Sequence, residues 1–246
     1  MTVFLANGNS GVIGLAFAGI WCSLLAIFLS VLVGCLIKEF GVGVVLPIIR
    51  KQDIFPMPVS CGEFARKLLQ DAGVSYTVES DKFAETASCN HKEKRIVLTY
   101  DLDSRTALAL YEACHEVGHA VRGPHFFKRN RSCTVMLFAL AFIPGLLCGV
   151  MRWEVPVLLL VTFSFVCMSV LFFVDIWANE IGASKYGLGR LLMLPIEEVV
   201  RKLIYRRLRY EYFVITGETL AWISAYTSAG WFLYEFGRFL RGWLLC

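Results

Sequence analysis

Residues 11–37 read GVIGLAFAGIWCSLLAIFLSVLVGCLI, a run without one charged side chain. Wound as an α-helix, it would be about 40 Å long, against a bilayer hydrocarbon core of about 30 Å. The sequence therefore predicts a membrane-spanning helix here. It reads as a retained span and not a cleaved leader, because no basic residue precedes it, its apolar core is too long, and no small-residue cleavage site follows. Ser10, Gly14 and Ala18 recur at four-residue spacing, which suits close approach of a second helix and equally suits a lipid-facing surface.

Composition agrees with a bilayer setting. Hydrophobic residues make up 57% of the 246 positions, charged residues only 18%, and the mean hydropathy is +0.61, which excludes an ordinary soluble domain. The net charge is +4, and the basic residues flank apolar runs instead of forming a stripe interleaved with aromatics, so no nucleic-acid partner is expected. Nine cysteines include no C-x-x-C pair, and Cys22, Cys35, Cys148 and Cys167 lie inside apolar stretches. Free thiols are expected, with neither a disulfide framework nor a cysteine zinc site.

Beyond the first span, residues 41–49 are apolar but too short to cross and contain Pro47, so they read as an interfacial segment. A polar region follows. Ser60 and Glu63 form a capping box opening a helix that carries Phe64, Leu68 and Leu69 and stops near Gly73. Strands are predicted at 74–78 and 95–100, then a second helix capped by Asp103 or Ser104 and ended by Gly123-Pro124. The apolar runs 133–151 and 155–178, parted by Arg152-Trp153-Glu154, predict a transmembrane hairpin with Pro144-Gly145 bending its first arm. A basic amphipathic stretch with the pairs Glu197/Arg201 and Glu198/Lys202, then Arg206, Arg207 and Arg209, suits a helix on anionic headgroups. Residues 219–234, between Glu218 and Glu235, are a short fourth candidate span.

The expected fold is a mainly α membrane protein of three to four transmembrane helices with a small α+β cytoplasmic element. Its parts are the N-terminal helix and interfacial segment (1–52), the α+β region (53–132), the hairpin (133–185), and the basic helix with the fourth span (186–246). Basic residues set the orientation: none precedes the first span, Lys38, Arg50 and Lys51 follow it, and Lys128, Arg129 and Arg131 precede the hairpin. Only Arg152 marks its tip, and Lys185 and Arg190 follow its return, so the polar region faces the cytoplasm.

The chemistry resides in His115-Glu116-Val117-Gly118-His119, which has the H-E-x-x-H form. On a helix, residues four apart share a face, so both imidazoles can bind one metal ion while Glu116, offset by one position, stands beside them as a general base. Zinc in such a site polarises a peptide carbonyl and lowers the pKa of a water to about 7. A catalytic zinc needs a third protein ligand and an open position. His91, His125, Asp175 and Glu180 are the candidates. Chain topology favours Glu180, because the second hairpin arm returns to the side on which His115 and His119 lie. Asp175 either orients a ligand histidine or marks the membrane boundary, and His91 and His125 are solvated or donate to a developing oxyanion.

These features together resemble the YugP-like neutral zinc metallopeptidases of bacterial membranes. The resemblance rests on a first spanning helix, SCGEFARKLLQDAG at 60–73, ACHEVGHA at 113–120, a hairpin, and NEIGAS at 179–184, and it covers roughly residues 59–192. It implies that His115 and His119 are zinc ligands, Glu116 the catalytic base and Glu180 the third ligand in an E-x-x-A-S pattern. The chain departs from the family in having Gly182 where an aspartate is usual, Ala178-Asn179 where Pro-Val is usual, and only Asn90-His91 of a D-H-Y-D-P stretch.

The expected function is zinc-dependent endopeptidase activity on protein or peptide substrates, membrane proteins among them, by an integral multi-pass protein of a bacterial-type cell membrane with its active site toward the cytoplasm. The alternative is a non-catalytic zinc-stabilised scaffold or adaptor. A transporter with Asp175 and Glu180 lining an ion path is disfavoured, since both lie near a helix end and no inverted repeat is present.

Overall fold

A computed structural model describes residues 2–84, 86–126, 143, 145–151 and 155–244, with side-chain surroundings from residue 14 onward except at 42, 155–162 and 164–165. The described chain is mostly helical with one small sheet. It divides into two compact units, one of residues 38–129 and 175–216 and the other of 1–37, 130–174 and 217–246.

In the first of these, the predicted capping box opens α3 (Cys61–Asp71): the Ser60 hydroxyl accepts from the Glu63 N–H, and the Glu63 carboxylate accepts from the Ser60 N–H. Phe64, Ala65, Leu68 and Leu69 form its buried face. Gly73, at φ +67°, makes the left-handed turn that ends the helix, and the Val74 N–H folds back to the Leu69 carbonyl at 3.0 Å. That bond takes Val74 out of the sheet. Strand β1 is Thr77–Ser80 and not the predicted 74–78, while β3 (Arg95–Leu98) lies where the sequence puts it. A third strand, β2 (Ser88–Asn90), was not foreseen. The order is β1-β3-β2, with β1 parallel and β2 antiparallel to β3, so that Val78 and Cys89 both register with Ile96.

Helix α4 (Ala107–Arg122) ends at Gly123 as predicted, but neither Asp103 nor Ser104 caps it. The Thr106 hydroxyl accepts from the Ala109 N–H, and the distant Asp53 carboxylate accepts from the N–H groups of Ala107 and Leu108 at 3.0 and 2.8 Å. A carboxylate there answers both the unpaired amides and the positive end of the helix. The core of this unit joins Ile96 and Leu98 of the sheet to Leu110, Tyr111 and Val117 of α4 and to Leu191 and Ile204.

Helix α1 (Thr2–Phe40) continues through a π-helical turn (Gly41–Val45) into α2 (Leu46–Lys51). Residues 41–49 are thus part of an unbroken helical run, with Pro47 at the start of α2 directly after the π-helical turn. Helix α5 (Val155–Leu191) extends the second hairpin arm well past residue 178. The basic stretch and the fourth candidate span are one helix, α6 (Glu198–Leu244), whose 47 residues measure about 70 Å. Arg207 of this stretch pairs with Glu211 at 2.8 Å. The expected partners at the start of α6 also differ, with Arg201 lying 3.9 Å from Glu198.

In the second unit, α1 and α6 run antiparallel along a line of small residues. Ser30 and Ser224 hydroxyls meet at 2.8 Å, a Cβ on Gly34 would stand 3.2 Å from that of Ala221, and one on Gly19 would stand 2.6 Å from the Glu235 carboxyl carbon. The close approach is therefore at Gly19 and Gly34, and among the described residues nothing lies within 4 Å of a Cβ on Gly14 of the predicted small-residue stripe.

Among the described residues, two helices are long and apolar enough to cross a membrane, Gly14–Lys51 and Val166–Leu191. Most of the predicted arm 133–151, its tip Arg152-Trp153-Glu154, Pro144, and the orienting residues Lys128, Arg129 and Arg131 lie outside the described residues; 145–151 are helical.

Candidate metal centre

Helix α4 presents His115, Glu116 and His119 to the C-terminal part of α5, which carries Glu180. The Nε2 atoms of the two histidines are 3.1 Å apart, and Glu180 Oε2 lies 3.4 Å from that of His115 and 3.3 Å from that of His119. A tetrahedral ion bound at about 2.0–2.1 Å holds its donor atoms about 3.3–3.4 Å from one another. The three protein donors thus already stand at the edges of such a coordination sphere, and the group can hold one metal ion. Two imidazoles and one carboxylate are also the donor set that leaves a fourth position open in catalytic sites. The topological choice of Glu180 over His91, His125 and Asp175 is what the geometry brings together.

Small residues let α4 and α5 come this close. A Cβ on Gly118 would stand 2.7 Å from the Ala183 carbonyl oxygen and 2.8 Å from its Cα, and one on Gly187 would stand 3.0 Å from the Cys114 Cβ. Gly182 has a local reason of its own: the Arg122 guanidinium fills the space a side chain there would need.

Each histidine is held from behind. His115 Nδ1 lies 3.0 Å from Ser184 Oγ, and His119 Nδ1 lies 3.2 Å from Asn179 Nδ2. The Ser184 hydroxyl donates to Glu211 Oε2 at 2.9 Å; the same oxygen accepts from Tyr111 Oη at 2.6 Å, and Arg207 pairs with Oε1 at 2.8 Å. Helix α6 thereby contributes to the centre through Glu211. Asp175 pairs with His125 Nδ1 at 3.0 Å. His91 bonds the Tyr76 hydroxyl through Nδ1 at 3.0 Å.

Electrostatics follow from burial and crowding. Burial alone would lower the His115 pKa, but the carboxylates of Glu180, Glu211 and Glu116 outweigh it and raise the imidazole to about 9. Glu116 is 6% exposed, and that burial raises its carboxyl above the usual range even though the two imidazoles pull it down. Burial next to Glu211 raises the Tyr111 hydroxyl strongly, so it acts only as a neutral donor. The centre opens into a cavity of about 400 Å³, walled by Thr86, Ala87, Ser88 and Cys89 on one side and by His125 and Ile176 on another.

No family model matches the chain, and neither a curated protein nor a solved structure does.

The structure brings His115, His119 and Glu180 together, and Glu116 lines the same cavity; the sequence pointed to all four. It gave no role to Ser184, Asn179 or Glu211. Ser184 and Glu180 are one helical turn apart on the same face, and Arg207 and Glu211 are an i,i+4 pair, but only the packing of α4 against α5 and α6 turns these positions toward the histidines.

Proposed function

We propose that this chain is a zinc-dependent endopeptidase of a membrane, in which His115, His119 and Glu180 hold the metal and Glu116 moves the proton. The observation that carries this reading is the convergence of three donor atoms at tetrahedral spacing with a fourth, buried carboxyl beside them and a cavity in front. Bound zinc supplies Lewis acidity, polarising a carbonyl and lowering the pKa of a water to about 7.

The chain's own residues do the rest. Ser184 holds the His115 ring so that Nε2 faces the metal, and the Asn179 amide, turned to present Oδ1, would accept from His119 Nδ1–H and do the same for the second ring. Glu116, not a ligand, accepts the proton of the attacking water and delivers it to the departing amine; its raised pKa helps it keep that proton long enough to pass it on. The cavity of about 400 Å³ in front of the centre leaves room for a short stretch of polypeptide. The resemblance to the YugP-like membrane peptidases, and the two helices apolar enough to span, support a multi-pass protein working on substrates at the bilayer surface, with the centre on the cytoplasmic side.

The test is metal analysis and peptide cleavage by the purified full chain beside two variants. Glu116→Gln should keep zinc at wild-type occupancy and lose cleavage, and Glu180→Ala should lose zinc. Full zinc in Glu180→Ala would remove the third ligand, and undiminished cleavage by Glu116→Gln would turn the reading toward a zinc-tied scaffold.

A further inference from the structure

Behind His115 lies a connected set of polar groups, of which the proposed chemistry uses only the first: Ser184 of α5, Glu211 and Arg207 of α6, and Tyr111 of α4. All are inward-facing; Ser184 is 0% exposed and the Glu211 side chain 11%.

From this set we infer that Glu211 is a positioning residue of the metal centre, selecting through Ser184 the ring tautomer in which His115 can bind metal. This rests on the reading of His115, His119 and Glu180 as a metal centre. A serine hydroxyl has one proton to give, and an ionised carboxylate has none. Ser184 spends its proton on Glu211 Oε2 at 2.9 Å, so its oxygen can only accept at His115 Nδ1, 3.0 Å away. Nδ1 then keeps a ring proton, and Nε2, once an ion displaces the proton it carries, offers its lone pair beside His119 and Glu180. Were the hydroxyl released from Glu211, it could turn and donate to Nδ1. That would favour the other tautomer, whose Nε2 carries a hydrogen and cannot bind a metal.

Arg207 and Tyr111 make the direction of this relay robust. Arg207 pairs with Oε1 at 2.8 Å and Tyr111 donates to Oε2 at 2.6 Å, so Glu211 is surrounded by donors and must accept from all three. Because the groups are buried, little water is at hand to take over a lost partner.

Replacing Glu211 with Gln keeps the shape but reverses the bond. The amide oxygen goes to Arg207, the NH₂ group comes to face Ser184, and Ser184 is pushed to donate to His115. Ser184→Ala removes the relay while leaving the Glu211–Arg207 and Glu211–Tyr111 bonds in place. Zinc affinity would be measured by chelator competition, and cobalt binding by its visible spectrum, on the full chain in detergent. Thermal unfolding would be followed in parallel. We expect each variant to lose about 10–100-fold in zinc affinity. The double variant should be no more than about 3-fold worse than the weaker single, since both act through one bond. At saturating cobalt, all should show the wild-type tetrahedral spectrum.

Wild-type affinity in Ser184→Ala, or losses that multiply in the double variant, would overturn the relay and leave Glu211 a strut between helices. If the wild-type chain binds zinc and Glu180→Ala does not, such a result sinks this inference alone. If the wild-type chain binds no zinc, the metal-centre reading fails and takes the relay with it.

Discussion

Replacing Gly118 with alanine puts a Cβ 2.7 Å from the Ala183 carbonyl oxygen and 2.8 Å from its Cα. Non-bonded carbon needs roughly 3.5–4.0 Å, so α4 and α5 must part by about 1 Å. Both contacts are to backbone, so no side-chain rotation can relieve them. Glu180 sits three residues before Ala183 on the same helix, and its Oε2 is held at 3.3 and 3.4 Å from the two Nε2 atoms. Parting the helices takes these separations toward about 4.3 Å, beyond the edge of a tetrahedral sphere. Overpacking costs about 1–3 kcal/mol, while alanine in place of a helical glycine returns up to about 1 kcal/mol. The net loss of stability is thus modest, about 0–2 kcal/mol, while zinc affinity should fall by at least about tenfold. Chelator competition measures the second quantity and thermal unfolding without metal the first. Gly189→Ala is the control, since nothing lies within 4 Å of its Cβ position on the same helix; it should leave zinc affinity unchanged. Wild-type zinc affinity in Gly118→Ala would refute the claim that this crossing aligns the third ligand.

Other expectations concern different parts of the chain. Without metal, His115 keeps a second proton up to about pH 9, and a metal ion must displace it; zinc affinity should therefore rise as pH increases from 7, close to tenfold per unit, and level off above about 9. A flat profile between pH 7 and 9 in a pH-controlled titration would contradict this. Asp53→Ala removes two charge-assisted bonds at the start of α4 and should cost about 1–3 kcal/mol in denaturant unfolding, whereas Asp103→Ala should cost under about 0.5 kcal/mol. Cys61 is buried, and that burial raises its thiol to about 11. Its neutral form thus stabilises the fold fully below about pH 8.5, and this contribution should fade as pH climbs toward 11. Cys61→Ala should flatten that part of the stability profile. Cys22, exposed on α1, should resist a membrane-impermeant maleimide in intact vesicles, and rapid labelling there would argue against a bilayer around that helix.

The legible parts of the molecule are those whose causes are local. Ser60 and Glu63 are three residues apart and name their own helix; Gly73 and Gly123 name its end and that of α4. His115 and His119 share a face by helical geometry alone, and Glu180 needed only one further step, the return of a hairpin. What was misread depends on distant partners. Asp53 caps a helix that starts at Ala107, so the nearer Asp103 and Ser104 drew the assignment. Strand β2 has three residues and only a partner strand to define it. The Gly19 and Gly34 contacts need α6, some two hundred residues away, and regular spacing at Ser10, Gly14 and Ala18 was no guide to them. Glu211 drew no reading, because nothing within its own helix reveals that Ser184 stands opposite.

The donor spacings of 3.1, 3.3 and 3.4 Å sit on helices that pack through an extended hydrophobic core of their own. Unlike small domains that collapse around zinc and fall apart when it is stripped, this scaffold would outlast a chelator and reload afterwards. The metal then becomes an exchangeable part, and which divalent ion occupies the centre in a cell depends on supply as much as on the protein's own preference.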